Sequence, residues 1–197
     1  MSRYKPENIP MIKKGIATMS DFDKNWAHPD WKVALTDKSE GLVVWQRITL
    51  EGINAVKASA IVERTADQIF KVMGNEKYRK QFDPNFHSQR CMERLAEQTY
   101  LIHYKTKRVT VVEPRDFVLI FHVNKTPEGV IYVVSVDSGR SELVPETKGI
   151  VRGALPLAGW RLEPLPGDPS RTKCDYLAEI DIKGNIPSWM LKSALKD

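Results

Sequence analysis

The sequence predicts an α+β fold built on one large antiparallel sheet, and three observations carry that expectation. Between residues 86 and 183 the chain is a series of period-two segments rich in β-branched and aromatic residues, several of them separated by short turn signals. A helical segment interrupts the strands at residues 65–74. A second apolar stripe of helical spacing starts at Pro187 and runs almost to the last residue, Asp197.

Taken in order, residues 1–30 are mixed in character, with helical spacing over Ile9 to Met19. Strand character begins near Trp31. Leu42, Val44, Ile48 and Leu50 alternate with Trp45, Arg47 and Thr49, and a second strand runs from Ile53 to Glu63 after the turn at Glu51-Gly52. Thr65-Ala66-Asp67-Gln68 has the form of a capping box, and Ala66, Ile69, Phe70 and Met73 follow on one helical face before Gly74.

Strands are then expected at residues 86–95, 99–110, 115–124, 130–137, 148–155, 160–164 and 172–183. Turns such as Thr126-Pro127-Glu128-Gly129 and Pro166-Gly167-Asp168-Pro169 imply antiparallel neighbours. Phe117, Leu119, Phe121 and Val123 share one side of their strand while Val118 and Ile120 lie on the other, so the sheet needs cover on both faces. Pro187 suits a first helical position, and Met190, Leu191 and Ala194 continue its stripe. A stripe this close to Asp197 implies a helix cut short.

Bulk properties narrow the function. A chain of 197 residues, 42% hydrophobic and 28% charged, fits a single globular domain. Its apolar runs fall far short of the roughly 20 residues of a membrane-crossing helix. The N-terminus has no secretory pattern, and Cys91 and Cys174 read as two buried reduced thiols rather than a disulfide, so the expected setting is cytoplasmic. The net charge of +5 suits an anionic partner, with a membrane surface favoured because no basic run is interleaved with aromatics for nucleic acid. Neither a nucleophile elbow, a metal-spaced His/Cys cluster nor a phosphate-binding loop is present, which points away from an enzyme and from a cofactor or metal.

Four ordered segments sharpen the reading: Tyr78-Arg79-Lys80-Gln81-Phe82-Asp83, Pro114-Arg115-Asp116-Phe117-Val118, Gly149-Ile150-Val151-Arg152 and Asp181-Ile182-Lys183-Gly184-Asn185-Ile186-Pro187-Ser188-Trp189. Over residues 31–197 they resemble the START family, the lipid-transfer domains related to the steroidogenic acute regulatory protein. The resemblance implies a helix-grip fold of the START/Bet v 1 type, in which strands curl around an apolar cavity. A loop, here about Asp137 to Lys148, and the C-terminal helix would gate it. It implies a monomer that holds one lipid, with phospholipid favoured over sterol or ceramide, and associates peripherally with membranes. A lipid-sensing module of a larger protein is the alternative.

Candidate ligand-binding residues follow from that resemblance. Arg79 and Asp83 match the segment that supplies an arginine to the lipid phosphate in phosphatidylcholine-transfer members, or form a structural ion pair. The aromatic choline cage of those members is matched by His103, Phe117 and Pro156, only one of them aromatic. The sterol-binding acid and arginine are replaced by residues within Ile102 to Tyr104 and by Phe121. His103 and Tyr104 can still bond a hydroxyl, or His103 serves as an ordinary strand histidine. Phe117, Leu119, Phe121, Met190, Leu191 and Ala194 are the expected apolar lining, or plain core.

Overall fold

The computed structural model describes residues 4–108 and 112–183. After a short 3-10 turn at Pro6–Asn8 come helix α1 (Ile9–Trp26), strands β1 (Lys32–Asp37), β2 (Leu42–Ile48) and β3 (Asn54–Val62), and helices α2 (Ala66–Met73) and α3 (Glu76–Phe82). Strands β4 (Phe86–Ala96), β5 (Thr99–Thr106), β6 (Arg115–Lys125), β7 (Ile131–Asp137), β8 (Val151–Arg152), β9 (Ala154–Leu165) and β10 (Asp168–Asp181) follow. The strands form one sheet in the order β1-β2-β3-β10-β9-β7-β6-β5-β4, antiparallel throughout except that β8 lies parallel to β6.

Helix α1 is longer than its first apolar residues indicate. Met11, Gly15, Thr18 and Phe22 are buried at helical spacing, and Trp26 extends the stripe to the end. The helix approaches the sheet closely at Gly15, where a Cβ would come within 2.9 Å of Ile120. It covers Val118, Ile120, Val134, Leu157 and Leu177, which define the outer face. Helix α2 covers the inner face, with Ala66, Ile69, Phe70 and Met73 against Ile131, Val133, Leu162 and Cys174. Its capping box forms as the sequence predicts: the Gln68 amide donates to Thr65 Oγ1 (3.2 Å) and the Thr65 amide to Gln68 Oε1 (3.1 Å).

The segments at 148–155 and 160–164 differ from expectation, since Val151–Arg152 is a separate two-residue strand and Ala154–Leu165 is one continuous strand. The cause is a bulge. Leu157 pairs with Glu179 but Ala154 with Asp181, so β9 carries one extra residue there. The shift turns Leu155 inward, against Phe117 and Leu119. Gly153 leaves room for Phe117; a Cβ there would sit 2.3 Å from its ring. Helix α3 was not anticipated, because none of its seven residues is buried and no apolar periodicity marks it.

Candidate functional site

The inner face is unevenly filled. Where β3 meets β10, Tyr176 pairs with Ala58 and Cys174 with Ala60, and these alanines leave space between the sheet and α2. The result is a cavity of about 820 Å³. Ile69 and Met73 of α2 and Phe82 of α3 bound it on the helix side, and Trp160 and Tyr176 on the sheet side. Arg64 and Lys71 stand at its exposed margin beside the part-exposed apolar side chains of Val72 and Phe82.

Two phenols give this apolar region its polarity. Tyr176 packs against Trp160 with ring centroids 4.7 Å apart and the planes tilted by 40°, and its hydroxyl has no hydrogen-bond partner among the described residues. Burial, and then the nearby Asp83 carboxylate, push the Tyr176 phenol up to about 12, so it remains a donor across the physiological range. Tyr104 donates to Asp83 Oδ2 (3.4 Å) and is likewise raised to about 12 by burial and Asp83.

Arg79 and Asp83 are brought together, as their i,i+4 spacing on α3 requires. Arg79 Nε lies 3.4 Å from Asp83 Oδ2, its Nη1 donates to Gln89 (3.3 Å), and its guanidinium lies over the rings of Phe86 (4.8 Å) and Tyr104 (5.2 Å). The pair borders the Tyr176 end of the cavity without lining it. Phe117 and Leu119 are buried with Ile102 and Leu155 on the inner face, and Phe121 packs both there and beneath α2. These three form the floor of the inner core next to the cavity and not its wall.

His103 belongs elsewhere. Ile102 and Tyr104 point inward, so the residue between them points outward. Its Nε2–H donates to Asp116 Oδ2 (2.8 Å), and Asp116 also accepts from Arg152 Nε (2.7 Å) and Nη2 (2.9 Å). Burial raises the Asp116 carboxyl, but the bonds from Arg152 and His103 outweigh it and hold the group below the usual carboxylate range. Arg152 ties this cluster to the carbonyls of Ser141 and Val144 in the segment 138–150. Arg115 donates to the carbonyls of Ile182 (3.0 Å) and Lys183 (2.9 Å), fixing the end of β10. The Arg-Asp-Phe segment is thus a structural junction. Met190, Leu191 and Ala194 lie outside the described residues.

Sequence reasoning passed over Trp160, Cys174 and Tyr176. The available signal was the alternation Cys174, Tyr176, Ala178, Ile180 along β10, which places one set of side chains on the inner face. Among the described residues no helix is long and apolar enough to cross a membrane.

The family model for the START domain matches residues 23–197. The chain belongs to the START domain family. The steroidogenic acute regulatory protein of Xenopus laevis is 26% identical over 195 residues, covering 98% of this chain and 65% of that protein. The chain therefore spans just under two thirds of that relative. Human StAR-related lipid transfer protein 5 superposes with a TM-score of 0.83 at 21% identity, covering 94% of this chain and 89% of that one. Human STARD10 gives 0.76 at 18% identity, with 90% and 71% covered. These likenesses establish the START domain fold, a curved open antiparallel sheet gripping helices.

Proposed function

We propose that this START domain, as a monomeric cytoplasmic unit, holds one lipid between α2 and the inner face of its sheet and carries it between membranes without altering it. The observation that carries the reading is the cavity of about 820 Å³, walled by aliphatic and aromatic side chains, within the range of pockets that bury a small ligand. Moving a lipid through water exposes apolar surface at about 0.8 kcal/mol per CH₂. A protein that covers that surface lowers the barrier to exchange and needs no catalyst.

The polar groups favour a lipid with one small hydrogen-bonding head, such as the hydroxyl of a sterol or ceramide, seated at Tyr176. A phospholipid is the second reading, favoured by Arg79, whose phosphate contact would compete with Asp83. Arg64 and Lys71 at the cavity margin, beside exposed Val72 and Phe82, suit transient docking on an anionic membrane surface.

The test is saturable uptake of fluorescent sterol, ceramide and phospholipid by delipidated protein, together with native mass spectrometry of the protein as purified from eukaryotic cells. One lipid per chain, transferred from donor to acceptor vesicles with its covalent structure intact, is the expected result. Absence of both uptake and co-purified lipid would remove the reading, and a chemically changed lipid would replace it with catalysis.

A further inference from the structure

The outer face of the sheet carries a second concavity, separate from the lipid cavity. Strands β4 and β5 and the segment 138–150 enclose an open groove of about 440 Å³. Strand register builds its floor: Arg90 lies opposite His103, and Ser88 opposite Lys105. Because these cross-strand pairs sit side by side, three basic side chains and a hydroxyl occupy one small patch. Val144, Pro145 and Thr147 form the facing wall, and Thr147 adds a second hydroxyl.

The charge of this groove is not offset from within. Among the described residues no carboxylate lines it, and neither Arg90 nor Lys105 has an ion pair with any of them. Asp116 lies behind His103, and its two oxygens are taken by His103 and both contacting nitrogens of Arg152. Two further acids, Glu146 and Asp137, act on Arg152, and neither lines the groove. Like charges facing each other on a sheet repel unless a counter-charge lies between them.

We propose that this groove binds a phosphomonoester. Arg90 presents the planar fork that matches phosphate oxygens, Lys105 adds a point charge, Thr147 supplies a hydroxyl donor, and Ser88, whose Oγ lies 2.9 Å from His87 Nδ1, supplies a second when that ring nitrogen carries the proton. The groove is larger than an inorganic phosphate needs and suits a phosphorylated headgroup of inositol-phosphate size. An anion here also meets a path to the 138–150 segment, since His103 bonds Asp116, Asp116 bonds Arg152, and Arg152 holds the carbonyls of Ser141 (2.9 Å) and Val144 (3.0 Å).

Calorimetric titration of the whole chain with a soluble inositol trisphosphate tests the site. Saturable binding that weakens with salt is expected, and it should fall by at least about tenfold in the doubly substituted Arg90→Gln/Lys105→Gln protein. Uptake of lipid into the cavity should be unchanged by those substitutions, which separates this site from the proposed transport function. A control protein carrying Lys77→Gln and Lys80→Gln on α3 should bind as the parent does. Vesicles of phosphatidylcholine with and without a phosphoinositide then identify the source: retention on the phosphoinositide vesicles marks a membrane headgroup, and binding of the soluble compound alone marks a free phosphorylated metabolite. Absence of saturable binding, or equal weakening by the α3 control, would overturn the proposal.

Discussion

Tyr176→Phe separates a ligand-recognising hydroxyl from a packing aromatic. The phenol borders the cavity and donates to no described residue, so its removal leaves no protein acceptor unpaired. The stability of the lipid-free protein should therefore change by no more than about 0.5 kcal/mol, as for substitutions that disturb no contact. In the proposed complex the hydroxyl meets the polar group of the lipid, and one such bond contributes about 0.5–1.5 kcal/mol, or roughly a two- to twelvefold change in Kd. The assay is displacement of a fluorescent probe by a sterol or ceramide and, in parallel, by a hydrocarbon analogue lacking the polar head. Only the first should weaken. Because the phenol is raised to about 12, the effect should be constant from pH 6 to pH 9. Equal weakening for both ligands, or for neither, would refute the assignment of Tyr176 as the polar anchor.

Three other outcomes follow from the same geometry. Ala60→Phe places an aromatic ring in the cavity opposite Cys174; lipid uptake should drop by tenfold or more while far-ultraviolet circular dichroism stays unchanged. Saturating lipid should raise the Tm: at a hundred times Kd the linkage contributes about 2.7 kcal/mol, which for a chain of this length is roughly 5–11 °C by scanning calorimetry. Asp116→Asn removes a buried carboxylate that holds both His103 and Arg152. Since Arg152 is partly exposed, a loss of about 2–3 kcal/mol and roughly 4–12 °C in Tm is expected near neutral pH. The folded-state value of Asp116 is depressed, so its contribution is present above the ordinary aspartate value near 3.9 and fades as pH falls below it. The difference in Tm between parent and variant should shrink as the pH falls below about 4; a constant difference would show that packing and not charge is lost.

The fold was largely legible because its signals are local. Alternation marks strands whose two faces are covered differently, as at Phe117 to Phe121, and the capping box at Thr65 fixes the start of α2. Features that depend on distant pairing were not. Arg79 and Asp83 meet through one helical turn and can be paired from sequence, whereas Tyr176 reaches Ala58 across a separation that only strand register sets. The cavity itself arises from small residues, Ala58 and Ala60, that look like unremarkable strand positions until α2 is placed above them. His103 meets Asp116 on the outer face only through the pairing of β5 with β6, and the β9 bulge hides from any fixed-period reading.

The proposed lipid cavity lies on the inner face, and Arg161→Met tests whether the polar cluster that joins α1 to the outer face acts independently of it. A sheet with an under-filled inner face loses packing contacts there, so its curvature has to be held by other means. On the outer face Asp175 is fully buried and accepts from Arg161 Nη2 (2.7 Å) and Nε (3.2 Å) and from Ser59 Oγ (2.6 Å). Arg161 Nη1 also donates to Asp23 of α1 (2.8 Å), so one guanidinium joins β9, β10 and the N-terminal helix. Beside it, Lys57 Nζ sits 4.8–5.1 Å from the rings of Trp26, Trp31 and Trp45, and Arg47 pairs with Glu179. Removing the Arg161 charge leaves Asp175 buried with a weaker partner in Lys173, at 3.4 Å. The expected cost is about 3–5 kcal/mol, read as a lower urea midpoint with an unchanged slope. Lipid Kd, measured well below the Tm, should stay within about twofold, because no described cavity wall contains Arg161. If Arg161→Met instead changed which lipid is bound, the outer staples would be shaping the cavity, and the two faces would have to be treated as one coupled site.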